Sequence, residues 1–129
     1  MTLVLDSHGL TGLAADRARL EELRRRGEWP AIVPAVVLTE ALTGDHRRDH
    51  RENRFLRACD IWPVDELVAR AAAVLRSQVA ATRRAPTAVD AIVVAAADEA
   101  GGATVLSSDP GDLRALARYA THEVEISRI

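Results

Sequence analysis

Lysine is absent from this 129-residue chain: all 17 basic residues are arginine, so any mechanism that requires a lysine is excluded. A single cysteine, Cys59, rules out an intramolecular disulfide framework and a cysteine-rich metal site, and reads as a buried spectator thiol. Aromatic residues make up only 3%, which leaves a core to be built from Ala, Val, Leu and Ile within an apolar content of 48%. No apolar run approaches the roughly 18 residues of a membrane span. The start, Met1-Thr2-Leu3-Val4-Leu5-Asp6, has no basic region and meets an acid too early for a signal peptide, so the chain is expected in the cytoplasm. No glycine-rich phosphate loop occurs, since Gly101-Gly102 leads into a strand rather than out of one. Neither a G-x-S-x-G elbow nor a zinc-ligand spacing is found. With a net charge of −2, bulk attraction is a poor way for this chain to hold nucleic acid, so the distribution of its arginines matters more than their sum.

What is there alternates strand and helix over a single domain, residues 1–129, without repeats or linkers. Leu3-Val4-Leu5 is a short buried strand candidate ending at Asp6. Residues 8–27 read as helical, with Gly27 able to stop them, and Ala31-Ile32-Val33 as a second strand. Pro34 suits the first turn of a helix running through Glu40 to about Thr43. A polar, arginine-rich helix is expected over about 46–58, then a short strand at Ile61-Trp62. Asp65 can cap a helix over 66–82 with Leu67, Ala71, Val74, Leu75 and Val79 on one face, and Thr87 a buried helix over 88–100. Ala103-Thr104-Val105-Leu106 is a clear strand, Asp109-Pro110 opens a further helix, and Glu123-Val124-Glu125-Ile126 alternates like an edge strand. Such alternation predicts an α/β fold, a mostly parallel sheet of about five short strands covered by helices. Function in such sheets gathers at the carboxyl ends of the strands.

Acids stand at or near those ends. Asp6 follows the first strand directly; Asp109 and Asp112 follow the Val105-Leu106 strand; Glu40 and Asp90 interrupt otherwise apolar helices. A lone buried carboxylate costs several kcal/mol unless it is paired or binds a cation. Acids planted in apolar surroundings therefore point to magnesium or manganese, which prefer carboxylate, water and phosphate oxygens. Plainer roles exist for some of them. Asp109 can cap its helix with Asp112 three residues on in a capping-box arrangement, Asp90 can partner the Thr87 cap, and Glu40 can face solvent. Of the histidines, His46 and His50 share a helix face, but among so many arginines a solvated role suits them better than a cation, and His8 stands two residues from Asp6.

Four segments, in order, resemble the PIN domain: Asp6 after the first strand; Val37-Leu38-Thr39-Glu40-Ala41-Leu42; Val89-Asp90-Ala91-Ile92-Val93-Val94-Ala95-Ala96-Ala97; and Thr104-Val105-Leu106-Ser107-Ser108-Asp109-Pro110-Gly111-Asp112-Leu113. The last two are similar to VapC-type toxins of toxin–antitoxin pairs. The resemblance implies an α/β/α fold and an endoribonuclease that hydrolyses RNA with Mg2+ or Mn2+. Asp6, Glu40 and Asp90 match its three acidic metal-site positions; Asp109 matches the fourth and Asp112 a further acid used in some members, which leaves open which of the two reaches the metal. His8-Gly9 after Asp6 departs from the family's small polar residues. An RNA substrate, a cognate antitoxin and a homodimer are the partners implied, with Arg47, Arg48, Arg51, Arg54, Arg83 and Arg84 as candidates for phosphate contact. Two rival classes remain in view. One is a catalytically idle PIN-like module that binds a protein. The other is a receiver-like signalling domain, which would use the lysine that this chain lacks.

Overall fold

The computed structural model describes residues 2–129; Met1, which opens the segment read above as lacking a leader, lies outside them. Five parallel strands form one sheet: β1 (Leu3–Leu5), β2 (Ile32–Pro34), β3 (Asp60–Trp62), β4 (Ala103–Ser107) and β5 (Val124–Arg128). Their spatial order is β3-β2-β1-β4-β5. Helices α1 (Ser7–Ala15) and α2 (Arg17–Arg25) join β1 to β2. A 3-10 turn (Ala35–Val37), α3 (Leu38–Ala41) and α4 (His50–Leu56) join β2 to β3. The long crossover to β4 is made by α5 (Glu66–Ala80) and α6 (Ala88–Glu99), and α7 (Gly111–Ala117) leads to β5. Helix α1 contacts α2, α3 and α4, whereas α6 contacts α5 and α7. The right-handed rule for parallel crossovers puts these two groups on opposite faces of the sheet, giving the α/β/α sandwich expected.

This arrangement explains why β1 and α6 are apolar almost throughout. All three residues of β1 are buried, as is the run Val93 to Ala97 of α6, because each is covered on every side by sheet or helix. Aromatic packing is confined to a small cluster in which Trp29 and Phe55 meet edge to face, ring centroids 5.5 Å apart. Cys59 is half-buried beside it, where burial pushes its thiol up to about 12, as fits an inert group. Among the described residues no helix is long and apolar enough to cross a membrane.

Several local expectations are corrected. The 8–27 helix is two helices, because Asp16 turns out of helical geometry (φ −121°, ψ 87°) and its side chain accepts the Arg19 amide at 3.0 Å, capping α2. Pro34 does not open a helix; it closes β2 opposite Trp62, and the chain tightens through the 3-10 turn into a short α3. The arginine-rich helix starts only at His50, since buried Asp49 reaches back to hold the turn before it. Asp49 accepts the amides of Thr43 (2.9 Å) and Gly44 (2.8 Å) and the Thr43 hydroxyl (2.9 Å), and the Thr43 amide leads the forces that hold its carboxyl below the usual range. On α5 the buried face is Val68, Ala72, Leu75 and Val79, while Leu67 and Val74 are 62% and 58% exposed. Asp109 does not cap α7: Pro110 holds that position without a side-chain bond, and no Asp109–Asp112 capping box forms.

Candidate metal centre

The chain lays β1, β2 and β3 outward on one side of the sheet, then crosses back to lay β4 and β5 on the other. Strand order therefore reverses between β1 and β4, and the crevice at their carboxyl ends is where such sheets bind ligands. Asp6 stands there. Leaving β1 in extended conformation, it becomes the N-cap of α1, its Oδ1 accepting the Gly9 amide at 2.7 Å. Asp6 is 5% exposed, and no donor among the described residues meets its second carboxylate oxygen. Gly9 makes this turn possible. A Cβ on it would lie 2.3 Å from the Leu106 carbonyl oxygen, so only glycine lets α1 sit this close to the end of β4.

Glu40 projects from the single turn of α3 after β2, exposed and without an ion-pair partner among the described residues. Asp90 lies in the first turn of α6, whose N-cap Thr87 accepts the Asp90 amide at 3.2 Å. Half-buried, Asp90 has its carboxyl pushed up to about 6. Burial is the main cause; the Thr87 hydroxyl opposes it, and the charges of Asp112, Asp6 and Glu40 add to the rise. The charges of acids carried by β1–α1, α3 and α7 thus reach Asp90 on α6. Asp109 is not among the charges that act on Asp90; it is exposed in the turn after β4, with its amide on the Ser107 hydroxyl at 3.1 Å.

The donor set suits a hard cation. Crowded carboxylates repel one another, and one of them keeps an oxygen with no protein donor, so a divalent ion would relieve what the protein leaves unbalanced. Among the described residues no three His, Cys, Asp or Glu side chains are drawn close enough to enclose a cation unaided. The cluster is an open one. That too fits magnesium, which usually keeps several waters and takes only one or two carboxylates.

The sequence model of the PIN domain matches residues 3–119. The chain belongs to the PIN-domain family. No curated protein matches it in sequence. Solved structures share its fold at low identity. It is similar to DNA-bound VapBC from Salmonella typhimurium (12% identity, TM-score 0.76, covering 99% of this chain and 98% of that one). It also resembles VapBC2 from Rickettsia felis bound to a promoter DNA fragment (12%, 0.74, 98% and 99%) and FitAcB from Neisseria gonorrhoeae (21%, 0.65, 96% and 96%).

The arginines of this PIN domain are distributed unevenly around the acids. Arg47 and Arg48 are exposed in the turn before α4, their amides held by Asp45. Arg51 pairs with buried Glu52 at 3.1 Å and, with Arg54, lines a groove of about 380 Å³ between α1–α2 and α4. His46 and His50 face a separate hollow of about 330 Å³ with Asn53, Arg54 and Arg57. Arg84 is exposed, and His8 is exposed beside the cap of α1. Arg83, a candidate for phosphate contact, forms an ion pair with Asp112. Two features of the site thus escaped the sequence reading: the Arg83–Asp112 pair, whose members are far apart in the chain, and Gly9, for which the glycine three residues after Asp6 was the available sign.

Proposed function

We propose that this PIN domain is a divalent-metal-dependent endoribonuclease and the toxin of a toxin–antitoxin pair. The observation that carries the reading is buried Asp6 at the point where strand order reverses, with one oxygen that no donor among the described residues meets, beside an Asp90 on which the charges of Asp112, Asp6 and Glu40 act. Family membership supports nucleic-acid hydrolysis, since PIN domains are nucleases. Asp6, Glu40 and Asp90 would hold a magnesium or manganese ion. When bound, that ion supplies an activated water and neutralises charge on the scissile phosphate. Around it, the chain's own groups do simple things. The Gly9 amide fixes the rotamer of Asp6, the α6 N-terminus steadies Asp90, and burial against β1 and β4 keeps these carboxylates from swinging into solvent. Arg47, Arg48, Arg51 and Arg84 supply positive charge for an RNA backbone that the acids alone would repel. RNA that is single-stranded or looped fits best, because its backbone is free to enter a carboxylate-lined cleft.

The similar structures are named as VapBC and FitAB-type assemblies, which supports an antitoxin as partner of this chain. The groove beside α4 has an apolar floor of Leu13, Leu20 and Phe55 and a rim of Arg17, Arg24 and Arg54, features suited to an acidic amphipathic segment. A homodimer and a cytoplasmic location belong to the same reading.

The test is cleavage of total, transfer and ribosomal RNA by the purified chain with magnesium, manganese or excess chelator. Cleavage that needs metal and is lost in Asp6→Ala, Glu40→Ala and Asp90→Ala is expected. Activity that persists in chelator or survives Asp6→Ala undiminished would overturn the proposal.

A further inference from the structure

Arg83 brings a positive charge against Asp112, one of the acids whose charge acts on Asp90. It belongs to the segment between α5 and α6, and its guanidinium Nη2 donates to Oδ1 of Asp112 in the first turn of α7, closing a link across 29 residues. The pair is partly shielded, with side-chain exposures of 40% for Arg83 and 28% for Asp112. Asp112 is also the first of the neighbouring charges that act on Asp90. Helix α7 packs on α6, so the ion pair at the start of α7 lies on the element next to the one that carries Asp90. Asp6, Glu40 and Asp90 have no arginine or lysine partner among the described residues. One acid of the four is thus already neutralised by the chain itself, and three are left.

Resting on the metal-dependent reading above, we infer that Arg83 is a built-in counter-ion that occupies Asp112 and limits the open site around Asp6 and Asp90 to a single divalent cation. Charge counting supports this. With Arg83 in place the four carboxylates carry a net −3, which one Mg2+ or Mn2+ nearly balances. Without Arg83 they carry −4, enough to attract a second ion. A guanidinium cannot lose its proton near neutral pH, so the neutralisation is permanent unless the side chain swings away. Arg83 is in this sense a positioning residue, acting on the metal through Asp112.

The experiment is calorimetric titration of the metal-stripped chain with Mn2+, for the wild type, Arg83→Ala, Arg83→Gln, Asp112→Asn and the Arg83→Ala/Asp112→Asn double variant, each checked by melting. The wild type should bind one Mn2+. Arg83→Ala and Arg83→Gln should bind the first ion about tenfold more tightly, as expected for removing a nearby positive charge in a half-exposed site, and should take up a second. Asp112→Asn should weaken binding by leaving Arg83 unbalanced, and the double variant should return to wild-type affinity and one ion. Unchanged or weaker binding in both Arg83 variants would overturn the inference, as would a gain that survives Asp112→Asn or two ions in the wild type. Absence of Mn2+ binding in every protein would overturn the metal-centre reading itself, and this inference with it.

Discussion

The carboxylate of Asp6 accepts the amide of Gly9 at 2.7 Å, so the acid that ends the central strand is also the cap of the first helix. One side chain thus carries two duties that substitution can separate. Asparagine still accepts the amide but gives up the charge, whereas alanine loses both. Asp6→Asn should keep the wild-type melting temperature without metal and lose most of the rise that millimolar magnesium or manganese gives the wild type. Asp6→Ala should lose that rise and also about 1 kcal/mol of stability, the usual worth of a cap. Thermal melts with and without metal read both effects, and equal melting of the two metal-free variants would show that the cap is not needed.

Gly9 itself has no room for a side chain. A methyl group there would strike the Leu106 carbonyl, which is backbone at the end of a buried strand and cannot swing aside. Gly9→Ala should destabilise the chain by about 1–3 kcal/mol, the range for overpacking a tight contact. It should also impair cleavage, because α1 would have to move away from the site. Denaturant unfolding together with a cleavage assay measures the pair of effects; a fully stable Gly9→Ala would mean that α1 is looser on β4 than the geometry implies.

Away from the site, Asp98 ties the end of α6 to the turn before β5. Burial alone would raise its carboxyl, but the amides of Thr121 (2.9 Å) and His122 (2.8 Å) and the His122 ring outweigh burial, and the net shift is downward. A carboxyl lowered in the folded state stabilises above its unfolded value near 3.9, and that stabilisation is lost as pH falls through the still lower folded value. Asp98→Asn should therefore be less stable than the wild type at pH 7, by about 1 kcal/mol after allowance for solvent screening. The gap should close as pH falls below about 4. Urea unfolding of the two proteins at pH 7 and pH 3 checks the sign; a gap that stays constant would assign the effect to packing.

Most of the sheet was legible because its strands are short apolar runs closed by a turn residue or an acid, as at Leu3 to Asp6 and Ala103 to Leu106. Thr87 and Asp90 were legible for a similar reason, since a cap and its first turn are neighbours in the chain. The face of α5 was not. Leu67 and Val74 are as apolar as Val68 and Leu75, and an alanine-rich helix offers two plausible stripes between which only the neighbouring helix decides. Nor did local pattern reveal the break at Asp16, where a side chain competes with the helix for a backbone amide. The site divides in the same way. Asp6 announces itself at a strand end, but that Asp112 acts on Asp90 and pairs with Arg83 follows from the docking of α7 beside α6, a relation between segments distant in sequence.

On that docking, the two acids that the sequence left as alternatives are expected to differ. Asp109 lies exposed in the turn after β4, beyond the charges felt at Asp90, whereas Asp112, in the first turn of α7, acts on Asp90 and holds Arg83. Removing Asp109 should change little. Removing Asp112 does two things in the same direction: it takes a negative charge from the cluster, and it leaves the Arg83 guanidinium unbalanced beside the cation position. Asp112→Ala should therefore lower RNA cleavage at limiting magnesium by at least tenfold, with part of the loss recovered at high magnesium, because the defect is in cation affinity. Asp109→Ala should stay within about twofold of the wild type, as a solvent-exposed side chain away from the reacting groups usually does. Initial cleavage rates across a magnesium titration for the three proteins decide the matter. A larger loss in Asp109→Ala would mean that the turn after β4 rearranges when the metal and the RNA bind, and would move the fourth acid of the site from α7 to that turn.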